Sequence, residues 1–307
     1  MVGGLTEYEE VGAPAARRAP RLRWLGPYLL VLPAFAFIAV FVFWPVVYSV
    51  YLSLQDWRLG FGSSRFVGLR NYVRLFAAPD FLNSLRVTGG YTLLTSSLSI
   101  VLGLALALAI QHVRRLTSAW QALFFLPVAS TMAAMAVVFR FMFETHIGVI
   151  NDVLTRLGLT RVDWLNGDAT AFAAVVIVGV WSSAGYAMVL FLAGLTTIPE
   201  NLHEAAALDG ASAWHQLRYI TLPLLTPTTM FVVVILTLRS LENFDSVKVL
   251  TDGGPLGATQ VLSHLLYLEG FRYFNTGYAS ALATVFFVIL LAVAIIQMRA
   301  ERWVHYE

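Results

Sequence analysis

The 20 Lys and Arg and 18 Asp and Glu residues of this chain all fall outside six stretches: Trp24 to Gln55, Val87 to Val113, Leu116 to Phe139, Ala169 to Pro199, Tyr219 to Leu238 and Tyr273 to Met298. An α-helix rises about 1.5 Å per residue and a bilayer core is about 30 Å thick, so about 20 apolar residues cross it. Each stretch is long enough. A single gap of this kind also occurs in the core helix of a large soluble protein, but six in one chain point to a membrane. Composition agrees: 58% of the residues are hydrophobic and 12% are charged, against roughly half and a quarter in soluble domains. The expected fold class is therefore an all-α membrane protein with six transmembrane helices over residues 24–298, flanked by tails at 1–23 and 299–307.

Six spans place both termini on one side of the bilayer. Arg17, Arg18, Arg21 and Arg23 precede the first span, and Arg114 and Arg115 sit in a short loop. Both groups favour the cytoplasm. The full count of basic residues is nearly even between the two sides and decides nothing. Ala34-Phe35-Ala36 has the look of a signal-peptide cleavage site, yet the apolar run continues far past it, so an uncleaved first helix is expected.

Several chemistries are excluded by the residues themselves. The chain has no cysteine, hence no disulfide and no thiolate chemistry. Its six histidines, His112, His146, His203, His215, His264 and His305, lack ligand spacing. His203-Glu204 opens like a zinc-protease helix, but Ala207 stands where the second ligand belongs. There is no G-x-S-x-G elbow and no Gly-rich loop ending in Lys-Ser or Lys-Thr. If ATP drives this protein, another chain binds it. A net charge of +2 without a basic stripe argues against nucleic acid.

The loop 199–223 carries the sharpest local pattern. Glu200 to Leu208 is rich in helix formers, and an acid follows Pro199 where a helix N-terminus favours negative charge. Asp209-Gly210 breaks the helix. Ala211 to Tyr219 is expected to form a second short helix, with Pro223 and Pro227 leading into the next span. Two short helices bent at a glycine make a stiff knob beside the membrane.

This segment resembles the cytoplasmic "EAA" loop of ABC importer permeases, with Glu204-Ala205-Ala206, Asp209-Gly210-Ala211, Ile220 and Leu222-Pro223 at the family's spacing. It departs at Leu217, where the family more often has Phe. Trp44-Pro45, Phe66-Val67-Gly68-Leu69 with Asn71-Tyr72, and Thr251-Asp252-Gly253-Gly254-Pro255 are similar to the carbohydrate branch, which includes the maltose and glycerol-3-phosphate importers. The resemblance covers nearly the whole chain. Its start, Trp24 to Trp57, and its basic aromatic end, Arg302 to Tyr306, look somewhat like glycerol-3-phosphate permeases.

The resemblance implies a type I importer permease fold in a bacterial plasma (inner) membrane, working with a second homologous permease, two ATP-binding subunits and an external solute-binding lipoprotein. ATP and Mg would be bound by the partner ATPases, and this chain would carry no cofactor and no catalytic residue. Glu204, Ala205, Ala206, Asp209, Gly210, Ala211, Leu217, Leu222 and Pro223 would form the coupling element that docks into an ATPase. Glu204 is expected to pair with a basic group there, and Gly210 to permit a bend that a side chain would block.

Polarity inside the spans suggests the solute path. Gly179 to Tyr186 places Ser182 and Ser183 near mid-membrane, where small polar residues serve helix packing and solute contact about equally. Tyr186 offers a ring and a hydroxyl suited to a sugar. If the fifth span runs unbroken from Leu224, Arg239 lies about 22 Å along it, inside the core. Ser240, Glu242, Asn243, Asp245 and Ser246 then share one half of that helix, while Leu241, Phe244 and Val247 share the other. Ionisable groups at such depth face a cavity or a partner. The alternative is that the membrane ends near Arg239. A second alternative, a secondary transporter driven by an ion gradient, usually carries midplane carboxylates, and no acid occurs in the six stretches. The segment Phe66 to Leu85 is amphipathic and arginine-bearing and reads as lying on the outer surface, against headgroups in preference to the solute-binding protein.

Overall fold

The computed structural model describes residues 25–60, 62, 64–111, 120, 123–126 and 129–301. The N-terminal tail with its four arginines, the pair Arg114 and Arg115, and the end Arg302 to Tyr306 lie outside the described residues. Two units compose the chain, residues 1–48 and 49–307.

In the first, α1 (Leu25–Ile38) runs through a π-helical turn, Ala39–Phe43, into α2 (Trp44–Ser53). The widened turn has a cause in the sequence. Pro45 lacks an amide, and its ring would press on the Phe41 carbonyl one turn back; the Trp44 amide bonds Ala39 instead, a register that opens the turn around the ring. The same device recurs at Leu222-Pro223, where the π-helical turn Leu217–Thr221 precedes the proline and the Leu222 amide bonds Leu217.

The second unit opens with a two-stranded antiparallel hairpin, β1 (Gln55–Asp56) and β2 (Arg65–Phe66). There follow the amphipathic α3 (Arg70–Ala77) and the long α4 (Pro79–Gln111). After a gap in the described residues come α5 (Met132–Met142), α6 (Val149–Arg156) and the long α7 (Asp168–Leu195). The bent segment holds α8 (Glu200–Leu208), α9 (Ala213–Gln216) and α10 (Leu222–Leu224), and leads to α11 (Thr226–Leu241). The chain closes with α12 (Asp245–Leu250), α13 (Leu262–Tyr267) and α14 (Thr276–Glu301).

Among the described residues, four runs are long and apolar enough to cross a bilayer: Leu30–Ser53, Pro79–Gln111, Asp168–Leu195 and Thr276–Ala300. The expected fifth span is not straight. Ala213–Leu224 and Thr226–Leu241 meet at a 65° bend, because Pro223 and Pro227 flank Leu225 and deny the helix two amides. At 16 residues, α11 is about 24 Å long, short of a full core crossing. Within the stretch Leu116 to Phe139, residues 120, 123–126 and 129 are helical where described, and α5 begins at Met132 and continues past the stretch's charge-free end to take in Arg140.

Helices α4 and α7 pack along most of their lengths. Ser84, Thr88, Thr92, Thr95, Ser96 and Ser99 form a buried polar stripe on α4, and Gly103 continues it where a Cβ would come within 2.5 Å of the Ala187 Cβ. Small residues let the backbones approach; Thr88 donates to the Ser84 carbonyl at 2.7 Å, while the hydroxyls of Ser84, Thr92, Thr95 and Ser99 are buried with no hydrogen-bond partner among the described residues. Three apolar clusters hold the unit. The first joins Tyr91, Phe139, Phe143, Val175, Val178, Val247 and Val261; the second, Ala107, Ala187, Met188, Phe191, Leu225, Val232 and Leu236; the third, Leu75, Phe81, Leu262, Leu265, Tyr278 and Leu282. Along α7 the first cluster ends at Val178 and the second begins at Ala187. The interval between them is the polar stretch noted in the sequence.

Candidate functional site

That interval opens onto a pocket of about 390 Å³ lined by Tyr91, Met132, Gly179, Ser182, Ser183, Arg239, Ser240, Glu242, Asn243, Phe244 and Asp245. Seven of the eight side chains expected on a solute path thus line one pocket. Tyr186, the eighth, is not among the lining residues but touches one of them: the Arg239 guanidinium lies over its ring, 4.9 Å from the centroid.

The route by which these residues meet differs from the expected one. α11 ends at Leu241, and Glu242 to Phe244 leave the helix before α12 begins at Asp245. The residues beyond Arg239 are therefore not two halves of one continuous helix; they are gathered at a break. Asn243, a poor helix-interior residue, accepts on its Oδ1 from the Ser246 hydroxyl at 2.8 Å, and its main-chain carbonyl accepts from the Ser263 hydroxyl at 2.6 Å. The charges follow the two helix dipoles, with Arg239 in the last turn of α11 and Asp245 in the first turn of α12. Ser240 is buried and its hydroxyl receives that of Ser96 at 3.3 Å, tying α11 to α4. Glycine at 179 is required by space, since a Cβ there would run into the Tyr91 hydroxyl. Tyr91, Met132 and Phe244 are pocket residues that polarity within spans could not single out. Each reaches the pocket through tertiary packing alone.

The break is braced from outside by the segment Thr251-Asp252-Gly253-Gly254-Pro255. Asp252 accepts from Lys248 at 2.6 Å and from the buried His264 Nε2 at 3.1 Å, with Arg272 at 3.6 Å. The Lys248 ammonium holds the Asp252 carboxyl below its usual range, and burial pushes His264 down, so the imidazole is neutral and donates from Nε2. Gly253, at φ +82°, presses against the His264 ring, 2.9 Å from where a Cβ would stand. His264 in turn stacks beside Phe244, ring centroids 6.2 Å apart.

At the far end of α11 lies the bent segment. α8 ends in a Schellman turn: the Ala211 amide donates to the Ala206 carbonyl at 2.9 Å and the Gly210 amide to Ala207 at 3.1 Å. Gly210 has φ +78° and open space around it. The requirement for glycine is thus the left-handed backbone of the bend itself. The second short helix begins at Ala213, two residues later than expected, because the Ser212 hydroxyl caps it. His203 Nδ1 and Gln216 Oε1, 3.2 Å apart, tie the two helices together, and Gln216 donates to the Ala211 carbonyl at 3.3 Å. Glu204, Ala205 and Asp209 are exposed, as are Pro223 and the large side chains Leu208, Trp214 and Tyr219, while Ala206, Ala211, Leu217 and Leu222 are half-buried.

Comparison with known proteins bears on both ends. Residues 99–306 match the model of a protein family described as "Binding-protein-dependent transport system inner membrane component". The chain is 37% identical over 278 residues to the "Probable ABC transporter permease protein YurN" of Bacillus subtilis, covering 89% of this chain and 94% of that one. It is 35% identical over 279 residues to the trehalose/maltose transport system permease protein MalF of Thermococcus litoralis, covering 90% and 93%. Among solved structures, a bacterial ABC transporter involved in the import of the acidic polysaccharide alginate superposes with a TM-score of 0.80 at 24% identity, over 92% of this chain and 96% of that one.

Proposed function

The chain belongs to the family of binding-protein-dependent transport system inner membrane components, and from that premise we propose that it forms half of the translocation path of an ATP-driven importer for a sugar or sugar-like solute. The pocket supports the solute class. Ser182, Ser183 and Asn243 offer neutral donors and acceptors, Arg239 a donor fork, and Glu242 and Asp245 acceptors, a mixture that suits a polyhydroxylated molecule. Relatives named for trehalose/maltose and for sn-glycerol-3-phosphate support the same class.

One observation carries the coupling part of the proposal. The bent segment and the pocket are the two ends of a single run of chain, Ala213–Leu224 and Thr226–Leu241, so whatever moves the first displaces the second. We assign Glu204, Ala205, Ala206, Asp209, Gly210 and Ala211, with Leu217, Leu222 and Pro223, to docking against one of two separate ATP-binding subunits, which would hold ATP and Mg. The stiffness of the Schellman turn and the apolar side chains exposed around it support that assignment. A second permease would complete the path, and an external solute-binding lipoprotein would deliver the solute; a solved relative of the fold is an alginate transporter in complex with an alginate pentasaccharide-bound periplasmic protein. The topology that fits is six spans with both termini in the cytoplasm.

The test is reconstitution of the complex in proteoliposomes with its receptor. Saccharide-loaded receptor should stimulate ATP hydrolysis, and Gly210→Val should remove the stimulation while leaving the subunit in the membrane. Solute uptake by the chain alone, driven by an ion gradient, would replace this reading with that of a secondary transporter.

A further inference from the structure

We propose that α3 with the hairpin before it is a membrane-surface anchor, its outer face seated in the headgroup layer of a bilayer containing anionic lipid. α3 has a buried face and, opposite it, an exposed apolar one. Asn71 and Leu75 point inward, Leu75 fully buried against Phe81, Tyr278 and Leu282. Asn71 Nδ2 donates to the carbonyls of Ser53 and Gln55 at 2.8 and 2.9 Å, which fixes the helix to the hairpin. On the opposite side Phe66, Leu69, Val73 and Phe76 are 67%, 67%, 69% and 55% exposed, a spacing that sets the last three on one stripe.

What covers that stripe follows from where it is held. One residue, Ala78, separates α3 from α4, and Leu75 packs on the first turns of α14. Both α4 and α14 are long and apolar enough to cross a bilayer, and α3 is bound to the beginnings of both: Leu75 packs with Tyr278 and Leu282 near the start of α14's charge-free run, and the first turns of α4 carry Asp80 and Arg86 ahead of its own, a level that suits the interface in preference to the hydrocarbon centre. An amphipathic helix at that level buries its outer face about 5–10 Å into the headgroup and acyl boundary. Charge fits the occupant. Between Leu54 and Arg86 the chain carries Arg58, Arg65, Arg70, Arg74 and Arg86 against Asp56 and Asp80, an excess of cations that suits lipid phosphates. Arg74 is also held by the protein, its guanidinium 4.8 Å from the Tyr278 ring centroid, so the basic flank is oriented and not merely present.

The chain has no cysteine, so Val73→Cys, Phe76→Cys and Arg70→Cys each introduce its single thiol for a spin label, with cysteine-free partner subunits in the assembled complex. All three positions are exposed, and folding is checked by the retained ATPase activity of the complex. In vesicles of phosphatidylglycerol and phosphatidylcholine, labels at 73 and 76 are expected to collide more with oxygen than with a water-soluble nickel chelate, and the label at 70 to sit nearer the phosphates. Greater access to the chelate at 73 and 76 would overturn the proposal in favour of a water-facing helix. Access to neither would overturn it in favour of a protein partner such as the solute receptor. Equal depth at 73 with and without phosphatidylglycerol would overturn the part assigned to anionic headgroups.

Discussion

The guanidinium of Arg239 covers the ring of Tyr186 at 4.9 Å, and this contact joins the last turn of α11 to α7 beside the pocket that Arg239 lines. A cation over an aromatic face contributes about 0.5–2 kcal/mol, which corresponds to roughly two- to thirty-fold in an equilibrium constant. Tyr186→Leu and Arg239→Gln should each weaken apparent solute affinity within that range, and Tyr186→Phe, which keeps the ring, should stay near wild type. Transport kinetics in proteoliposomes decide it. Unchanged KM in both of the first two variants would leave the contact with no part in solute handling.

Gly210 occupies the left-handed region at φ +78° with nothing near it. Substitution there costs about 1–2 kcal/mol of local backbone energy for most residues and less for Asn. Gly210→Asn should therefore retain solute-stimulated ATP hydrolysis where Gly210→Val loses it, both subunits being present in the membrane at equal amounts. Equal activity of the two variants would argue that the turn is not the element that matters.

Glycines 103 and 89 lie on the same helix and make a matched pair. A Cβ at Gly103 meets Ala187 at 2.5 Å and the Ala184 carbonyl at 3.0 Å, whereas at Gly89 it meets nothing within 4 Å. Gly103→Leu should lower the stability of the detergent-solubilised subunit by about 1–3 kcal/mol or more, the usual cost of overpacking, and Gly89→Leu should not. A thermal melt followed by size-exclusion recovery reads the difference.

The Asp252–His264 bond gives a pH dependence with a definite sign. Burial lowers the His264 pKa in the folded chain, so the unfolded chain takes up a proton that the folded one refuses, and stability falls as pH drops below about 6.5 toward the folded value. Asp252, itself lowered, stays ionised through that window. Between about pH 7.5 and pH 5.5 the wild-type melting temperature should fall more than that of His264→Gln, which can still donate to Asp252 but does not titrate. Parallel falls would assign the acid sensitivity elsewhere.

Much of this was legible in the residues. Charge-free runs mark the long apolar helices because water-free hydrocarbon rejects ionised groups, and the Asp-Gly pair marks the turn after α8 because few residues accept its backbone. Ser182, Ser183 and Arg239 were legible as out-of-place polarity. The bend at Leu225 and the break at Glu242 to Phe244 were not, because a helical period carries no mark of where tertiary contacts interrupt it. Tyr91 shows the same gap: nothing in its neighbourhood along the chain distinguishes it from other span residues, and only the approach of α7 at Gly179 brings its hydroxyl to the pocket. Gly210 was legible as a bend from the Asp-Gly pair, but its left-handed φ of +78° and the open space around it needed coordinates.

The single non-helical residue between α10 and α11, Leu225, has no exposed surface and is clamped by Phe191, Val232 and their neighbours. A crooked rod pinned at its elbow can only rock, so a push on one limb returns as a swing of the other. From Leu225 to Arg239 the longer limb measures about 21 Å at 1.5 Å per residue, and a tilt of about 5° would carry the guanidinium about 2 Å. A shift of that size is comparable with the reach of the Arg239–Tyr186 contact, so on the proposed coupling the fulcrum at Leu225 would set the gearing between the docking segment and the pocket.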